Sequence, residues 1–246
     1  MVKTVKIFGI LNFTPDSFSD GGKFFSKKKA LEQAEKLFSG GANFLDVGAE
    51  STRPGATEIS ADAEFARLEK ILPILIKKFG GEKISLDTKN FSTAQKFLNL
   101  GGKILNDVSG FSHPKMAEIA PQFSRVILNH FPGKNLREVH EKKIDSIAQI
   151  RDELLQKKNF LVRAGVAPKK IILDPGIGFG KTAATNFALL RFAEILPREK
   201  ILLGFSRKRF LGRDRFSREK NAAAAKIAVD SGADFLRLHE IFPIKF

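Results

Sequence analysis

Ile84-Ser-Leu-Asp-Thr-Lys-Asn-Phe-Ser-Thr-Ala-Gln-Lys-Phe-Leu-Asn-Leu-Gly-Gly-Lys-Ile-Leu-Asn-Asp107 reads as a strand, a helix and a second strand. Two apolar runs, Ile84–Asp87 and Lys103–Asp107, each stop at an ionisable residue. Between them Ser92–Leu100 has room for a short helix, with Ser92 as its N-cap and Gly101-Gly102 as its stop. Short Val/Ile/Leu runs joined by a helical crossover are the mark of buried parallel strands. The unit recurs along the chain. Lys6–Asn12, Ala42–Asp46, Arg125–His130, Lys170–Asp174, Ile201–Ser206 and Ala233–His239 are further apolar runs with polar ends. Eight such units predict one (β/α)₈ TIM barrel whose chemistry gathers where the strands end.

The crossovers support that reading. Helical spacing marks Ser26–Phe38, and helices are expected over Ala61–Phe79, around Pro114–Gln122, from Leu136 to Arg163, over Asn186–Leu196 and over Glu219–Asp230. Only Glu240–Phe246 follow the last run, too few residues for a full eighth helix. The 246 residues fit one barrel domain, 1–246, with no linker-like break.

Composition narrows the function. No apolar stretch is long enough for a membrane span, and no signal peptide is evident. With no Cys there is neither a disulfide framework nor a thiolate metal site, so a cytoplasmic protein is expected. Forty-two Lys and Arg against 27 Asp and Glu give a net charge of +15. The lysines are spread along helices instead of forming a basic arm, which favours a solvated surface or steering of a small anion over nucleic-acid binding.

The loops after the first two strands are rich in Pro, Gly and hydroxyl side chains: Asn12-Phe-Thr-Pro-Asp-Ser-Phe-Ser-Asp-Gly-Gly22 and Glu50-Ser-Thr-Arg-Pro-Gly-Ala56. Such segments turn amides and hydroxyls toward a ligand. Asp174-Pro-Gly-Ile-Gly-Phe-Gly-Lys-Thr182 is neither a Walker loop nor a dinucleotide fingerprint, because its glycines alternate. It is either a tight strand–helix turn or a backbone that approaches something flat or bulky.

Asp87, Asn106 and Asp174 end three strands and could bind a ring that offers adjacent N–H donors and a carbonyl. A carboxylate metal cluster competes with that reading, as does helix capping by each residue separately. Gly204-Phe-Ser-Arg-Lys208 and Arg237-Leu-His239 place cations where barrel enzymes commonly hold phosphate. The mouth is therefore expected to divide, carboxylates on one side and cations on the other.

Together these motifs resemble dihydropteroate synthase, a pterin-binding family. The likeness rests on residues 9–22 and 46–56, Leu86-Asp87-Thr88, Asn106-Asp107-Val108-Ser109, Asp174–Lys181, Ser206-Arg207-Lys208 and Arg237-Leu-His239, in order along almost the whole chain. It implies a barrel that condenses 6-hydroxymethyl-7,8-dihydropterin diphosphate with 4-aminobenzoate, using Mg²⁺. By position, Asp87, Asn106 and Asp174 would bind the amino-pyrimidinone edge, Lys208 would donate to the ring, and Arg237 would lie against its face. Asn12 would ligate Mg²⁺ and meet the diphosphate, with Thr52, Arg53, Arg237 and His239. Phe18, Thr52, Pro54, Phe179 and Ser206 would form the 4-aminobenzoate pocket, which makes the family a target of sulfonamides. Asp16, Arg53, Lys208, Arg237 and His239 would make the catalytic set.

The resemblance has departures. The family's His-Met-x-Gly-x-Pro is here His130-Phe-Pro-Gly-Lys134, and its Arg-Val-His-Asp is Arg237-Leu-His-Glu240. Its usual homodimer uses a final helix, for which only Glu240–Phe246 remain. These changes keep a non-catalytic pterin-binding paralogue as an alternative. A pterin-dependent methyltransferase is disfavoured by the Thr14–Gly22 loop and the Ser-Arg-Lys triplet.

Overall fold

A computed structural model describes residues 4–14, 27–51 and 57–242. Eight strands form the barrel: β1 (Lys6–Asn12), β2 (Phe44–Gly48), β3 (Ile84–Asp87), β4 (Ile104–Asp107), β5 (Arg125–Asn129), β6 (Ile171–Asp174), β7 (Leu202–Leu203) and β8 (Phe235–Leu238). All neighbouring pairs are parallel, in the order β6-β5-β4-β3-β2-β1-β8-β7. A parallel bridge between Leu173 and Ile201 joins β6 to the start of β7 and brings the sheet round on itself.

The helices are α1 (Lys27–Ser39), α2 (Ala61–Leu68), α3 (Leu72–Phe79), α4 (Phe91–Asn99), α5 (Pro114–Ile119), α6 (Leu136–Glu141), α7 (Ile147–Arg163), α8 (Ala183–Ala188) and α9 (Arg218–Asp230). The single helix expected over Ala61–Phe79 is two. Pro73 falls in the first turn of α3, where its missing N–H breaks no helical bond; inside one long helix it would remove a bond and clash. The fifth crossover also divides, into α6 and α7, with Ser146 capping α7 through Gln149 N–H. The expected cap at Ser92 is incorrect: α4 starts one residue earlier and Asn90 holds the cap position. The described residues after β8, through Phe242, form no helix. No helix among the described residues is long and apolar enough to cross a membrane.

Two apolar layers sandwich the strands. Outward residues such as Leu45, Val47, Leu86, Leu105, Leu128 and Leu236 pack on the helices. Inward residues Phe8, Phe44, Ile104, Ile127, Ile172, Leu202 and Phe235 form a separate buried floor inside the barrel. Phe8 and Phe44 stack there with centroids 4.6 Å apart, and Phe235 meets Phe8 edge-on at 5.6 Å. Burying one such side chain contributes roughly 1.5–3 kcal/mol, so the floor fixes the barrel's shape before any polar residue is placed.

Candidate active site

Strand side chains alternate faces with a period of two, so a residue two steps beyond a floor residue sits directly above it. From Phe44, Ile104, Ile127, Ile172, Leu202 and Phe235 that step gives Asp46, Asn106, Asn129, Asp174, Gly204 and Arg237. Ser85 and Asp87 share the inner face of β3. The polar layer thus rests on an apolar floor and opens toward the strand ends.

Asp46 organises this layer. Its carboxylate accepts from Ser85 Oγ at 2.7 Å, Asn106 Nδ2 at 2.9 Å and Arg237 Nη1 at 3.2 Å. Arg237 Nη2 donates to Asp174 Oδ2 at 2.9 Å, and Gly176 N–H donates to Asp174 Oδ1 at 2.8 Å. Asn129 Nδ2 donates to Asn106 Oδ1 at 2.7 Å, so both ends of the Asn106 amide are fixed. A Cβ at Gly204 would lie 2.9 Å from Arg237 Nε and Nη2, which is why that position has no side chain. Burial works against the Arg237 charge, but Asp174 and Asp46 more than offset it and hold the guanidinium protonated. Arg237 therefore runs between carboxylates, and the expected division of the mouth into acidic and cationic sides is not found.

Two members of this layer keep an unpartnered buried oxygen, Asn129 Oδ1 and the carboxylate of Asp87. For Asp87 the consequence is the larger, because its group can carry charge. Its Oδ1 is shielded from solvent and has no hydrogen-bond partner among the described residues. Burial, then the nearby Asp46 carboxylate, push its pKa well above the ordinary range. A buried acceptor without a donor costs about 1–3 kcal/mol, a cost that a ligand N–H would remove.

The opposite wall is built by the loop after β6. Gly176, Gly178 and Gly180 all have positive φ, of 65°, 89° and 61°. Side chains there would strike His130 O at 2.2 Å, Lys208 Cδ at 2.9 Å and Val139 O at 2.5 Å. These glycines form a tight turn, as one of the two readings expects. Lys181 Nζ donates to Gly176 O and to Phe179 O, both at 2.8 Å. Lys208 Nζ donates to Ile177 O and lies 4.8 Å from the Phe179 ring centroid. Desolvation, then the Arg237 charge, lower Lys208 to about 8; desolvation, then Lys208, lower Lys181 to about 7.

Ser206 and His239 meet where β7 and β8 end: Ser206 Oγ lies 3.1 Å from His239 Nδ1 and accepts His239 N–H at 3.3 Å. Asn221 of α9 accepts Arg207 N–H at 3.0 Å and so fixes the loop that carries Ser206 and Lys208. Phe179 and Phe131 pack edge-on at 5.6 Å, within a buried apolar cluster with Val108, Leu136 and Val139. Asn12 ends β1 opposite Gly48.

The structure thus gathers Asp87, Asn106, Asp174, Lys208 and Arg237 at one mouth, with Phe179, Ser206 and His239 at its rim. Asp16, Phe18, Thr52, Arg53 and Pro54 lie outside the described residues. Among the described residues there is no group of three or more His, Asp and Glu placed to hold a metal ion. The sequence reading gave no role to Asp46, Asn129, Ser85 or Lys181. A signal for Asp46 existed, since it ends its apolar run. Asn129 was hidden behind His130, the last polar residue of its run but on the other face, where it pairs with Glu153 at 2.9 Å.

Comparison with known proteins agrees with this geometry. The model of the family described as pterin binding enzyme matches residues 8–239. The chain is 38% identical over 245 residues to dihydropteroate synthase of Bacillus subtilis, covering 96% of this chain and 83% of that one. Among solved structures, Xanthomonas albilineans dihydropteroate synthase with 4-aminobenzoic acid superposes with a TM-score of 0.87 at 30% identity, over 98% of this chain and 89% of that chain. The Anaplasma phagocytophilum enzyme with bound 6-hydroxymethylpterin-monophosphate gives 0.84 at 33% identity, over 97% and 94%.

Proposed function

This chain belongs to the dihydropteroate synthase family of pterin-binding enzymes, and on that premise we propose how its residues carry out the reaction. It is a transferase of folate biosynthesis. In our reading it joins 6-hydroxymethyl-7,8-dihydropterin diphosphate to 4-aminobenzoate in the cytoplasm, releasing 7,8-dihydropteroate and diphosphate.

The observation that carries the proposal is the orphaned Asp87 carboxyl beside the clamped Asn106 amide. A pterin's amino-pyrimidinone edge offers adjacent N–H donors and a carbonyl, which these groups and Asp174 complement. Arg237 has Nη1 and Nη2 committed to Asp46 and Asp174, so its role is a flat cationic platform for the ring. Lys208, on transfer from Ile177 O to the ring, would orient the pterin.

Loss of diphosphate leaves a cation at the pterin methylene, and electron donation from the ring stabilises it. His239 at the rim would help to balance the departing charge, together with Arg53, which the resemblance assigns to the diphosphate. Asn12 offers a neutral amide oxygen rather than a carboxylate cage, which fits an Mg²⁺ ion held mainly by substrate phosphate and water. Bound there, Mg²⁺ would supply positive charge to the leaving group. The 4-aminobenzoate ring would lie against Phe179 and Ser206, with Phe18, Thr52 and Pro54 completing the pocket. Its arylamine is unprotonated near neutrality, so attack requires no strong base. Asp16 belongs to the catalytic set that the resemblance implies, and exclusion of water, which competes for the same carbon, would protect the cation.

The test is turnover. Purified protein with Mg²⁺ and both substrates should release diphosphate and form dihydropteroate, with sulfonamides competing against 4-aminobenzoate. Pterin binding without diphosphate release would favour the non-catalytic paralogue instead.

A further inference from the structure

We propose that Lys181 is a positioning residue that couples the two substrate subsites, by holding the Gly176–Phe179 turn between Asp174 and the Phe179 ring. The proposal deepens the transferase reading and rests on it.

The turn after β6 serves both subsites from one short piece of backbone. At its start, Gly176 N–H donates to Asp174 Oδ1 at 2.8 Å and so sets the rotation of the pterin-facing carboxylate. At its end, Phe179 presents the ring assigned to 4-aminobenzoate. The turn's own closing bond, Phe179 N–H to Gly176 O at 3.0 Å, is one contact between these ends. The carbonyls of Gly176 and Phe179 both face the Lys181 ammonium, at 2.8 Å each. One Lys carries three donors, so a single side chain satisfies both ends of the turn at once.

Asn186 of α8 fixes the backbone of Lys181 and the turn together. Asn186 Nδ2 donates to Lys181 O at 3.1 Å and to Thr182 O at 2.9 Å, while Asn186 Oδ1 accepts Gly178 N–H at 2.6 Å. The loop is also bound to the fifth crossover, through Ile144 N–H to Gly180 O at 2.9 Å. Lys208 holds the middle carbonyl, Ile177 O, from the mouth side. If Lys208 moves to the pterin ring, that restraint is lost, while Lys181 still holds the Gly176 and Phe179 carbonyls at the two ends of the turn. The assignment therefore separates two lysines of similar surroundings: Lys208 exchanges with substrate, and Lys181 does not touch it.

The experiment compares Lys181→Met and Lys181→Gln with a half-buried lysine control, Lys157→Met on α7, a residue that makes no hydrogen bond to the Gly176–Phe179 turn. Steady-state diphosphate release gives KM for 4-aminobenzoate and kcat; calorimetry gives the affinity for 6-hydroxymethylpterin. Lys181→Met is expected to raise KM and weaken pterin binding, each by about tenfold or more, the equivalent of one lost hydrogen bond. Lys181→Gln, which keeps a donor, should fall between it and the wild type and carries the test if Lys181→Met does not fold. Lys157→Met should lower the melting temperature without moving KM. Wild-type KM and pterin affinity in both Lys181 variants would overturn the proposal, as would a Lys157→Met enzyme with the same KM defect. A wild type that binds pterin but never turns over would refute the transferase reading, leaving pterin affinity to judge Lys181.

Discussion

Arg237 and Asp46 lie 191 positions apart in sequence and meet at 3.2 Å inside the barrel, above the Phe8–Phe44 stack. The pair joins the eighth strand to the second across β1. Asp46 also holds Asn106, and Arg237 also holds Asp174, so one ion pair links three strand ends that are assigned to the pterin. Breaking one partner of such a pair strands a buried charge, at a cost of about 3–5 kcal/mol. Asp46→Ala should therefore lower stability by that order and abolish pterin binding, although Asp46 touches no expected ligand atom. Chemical denaturation and calorimetry on the same preparation would check both parts.

Asp87→Asn keeps the shape of the pocket and removes the acceptor charge. Loss of charge-assisted bonds to the ring edge should weaken pterin affinity by about 100-fold, or nearly 3 kcal/mol. Stability should rise or stay level, because the unpaired carboxyl no longer has to be buried. Unchanged affinity would remove Asp87 from the recognition set.

Pterin binding should weaken on acidification at a pH above the ordinary carboxylate range. The Asp87 pKa is raised in the free protein, so its carboxyl takes up a proton early as pH falls and ceases to be a double acceptor. Calorimetric affinity against pH should show this decline in the wild type and a flat profile in Asp87→Asn.

His130 sets a second pH dependence, in stability. Desolvation, then Lys181, lower its pKa to about 3, so the folded protein holds it neutral while the unfolded chain protonates it near 6.5. Between those values the unfolded state binds more protons, and stability falls as pH falls. Replacing His130 with Gln should remove this contribution. The stability gap between wild type and variant should shift by about 3 kcal/mol in the variant's favour from pH 6.5 to pH 4. A gap that stays constant across that range would show that His130 is not held neutral.

Gly204→Ala tests the space beside Arg237. The new methyl would come within 2.9 Å of the guanidinium and force it off both carboxylates. Overpacking of this kind costs about 1–3 kcal/mol. Pterin affinity should fall together with stability, whereas alanine at a site with open space would change neither.

Most of the barrel is legible in the sequence because buried parallel strands leave continuous apolar runs, and the eight runs match the eight strands. What the runs do not reveal is parity. Asn106 and Asp107 end the same strand, yet Asn106 faces the barrel while Asp107 turns outward to accept Ser109 N–H and Phe111 N–H at 2.8 and 3.0 Å. His130 is the last polar residue of its run, but Asn129 is the one inside. Asp46 is harder to read, because β2 continues to Gly48 and the carboxylate sits below the strand's end. The turn held by Lys181 was illegible for another reason: its bonds run to carbonyls, which every sequence possesses.

The stacking of polar residues two steps above an apolar floor ties the chemistry to the count of residues in each strand. Adding or deleting one residue between Phe44 and Asp46, or between Phe235 and Arg237, would turn the charged group out toward the helices and leave a leucine or valine looking into the mouth. No compensating substitution at the rim could restore it. Arithmetic along the strand is therefore as binding on this enzyme as the identity of its acids and bases, and single-codon insertions there should be far less tolerated than the same insertions in the crossovers.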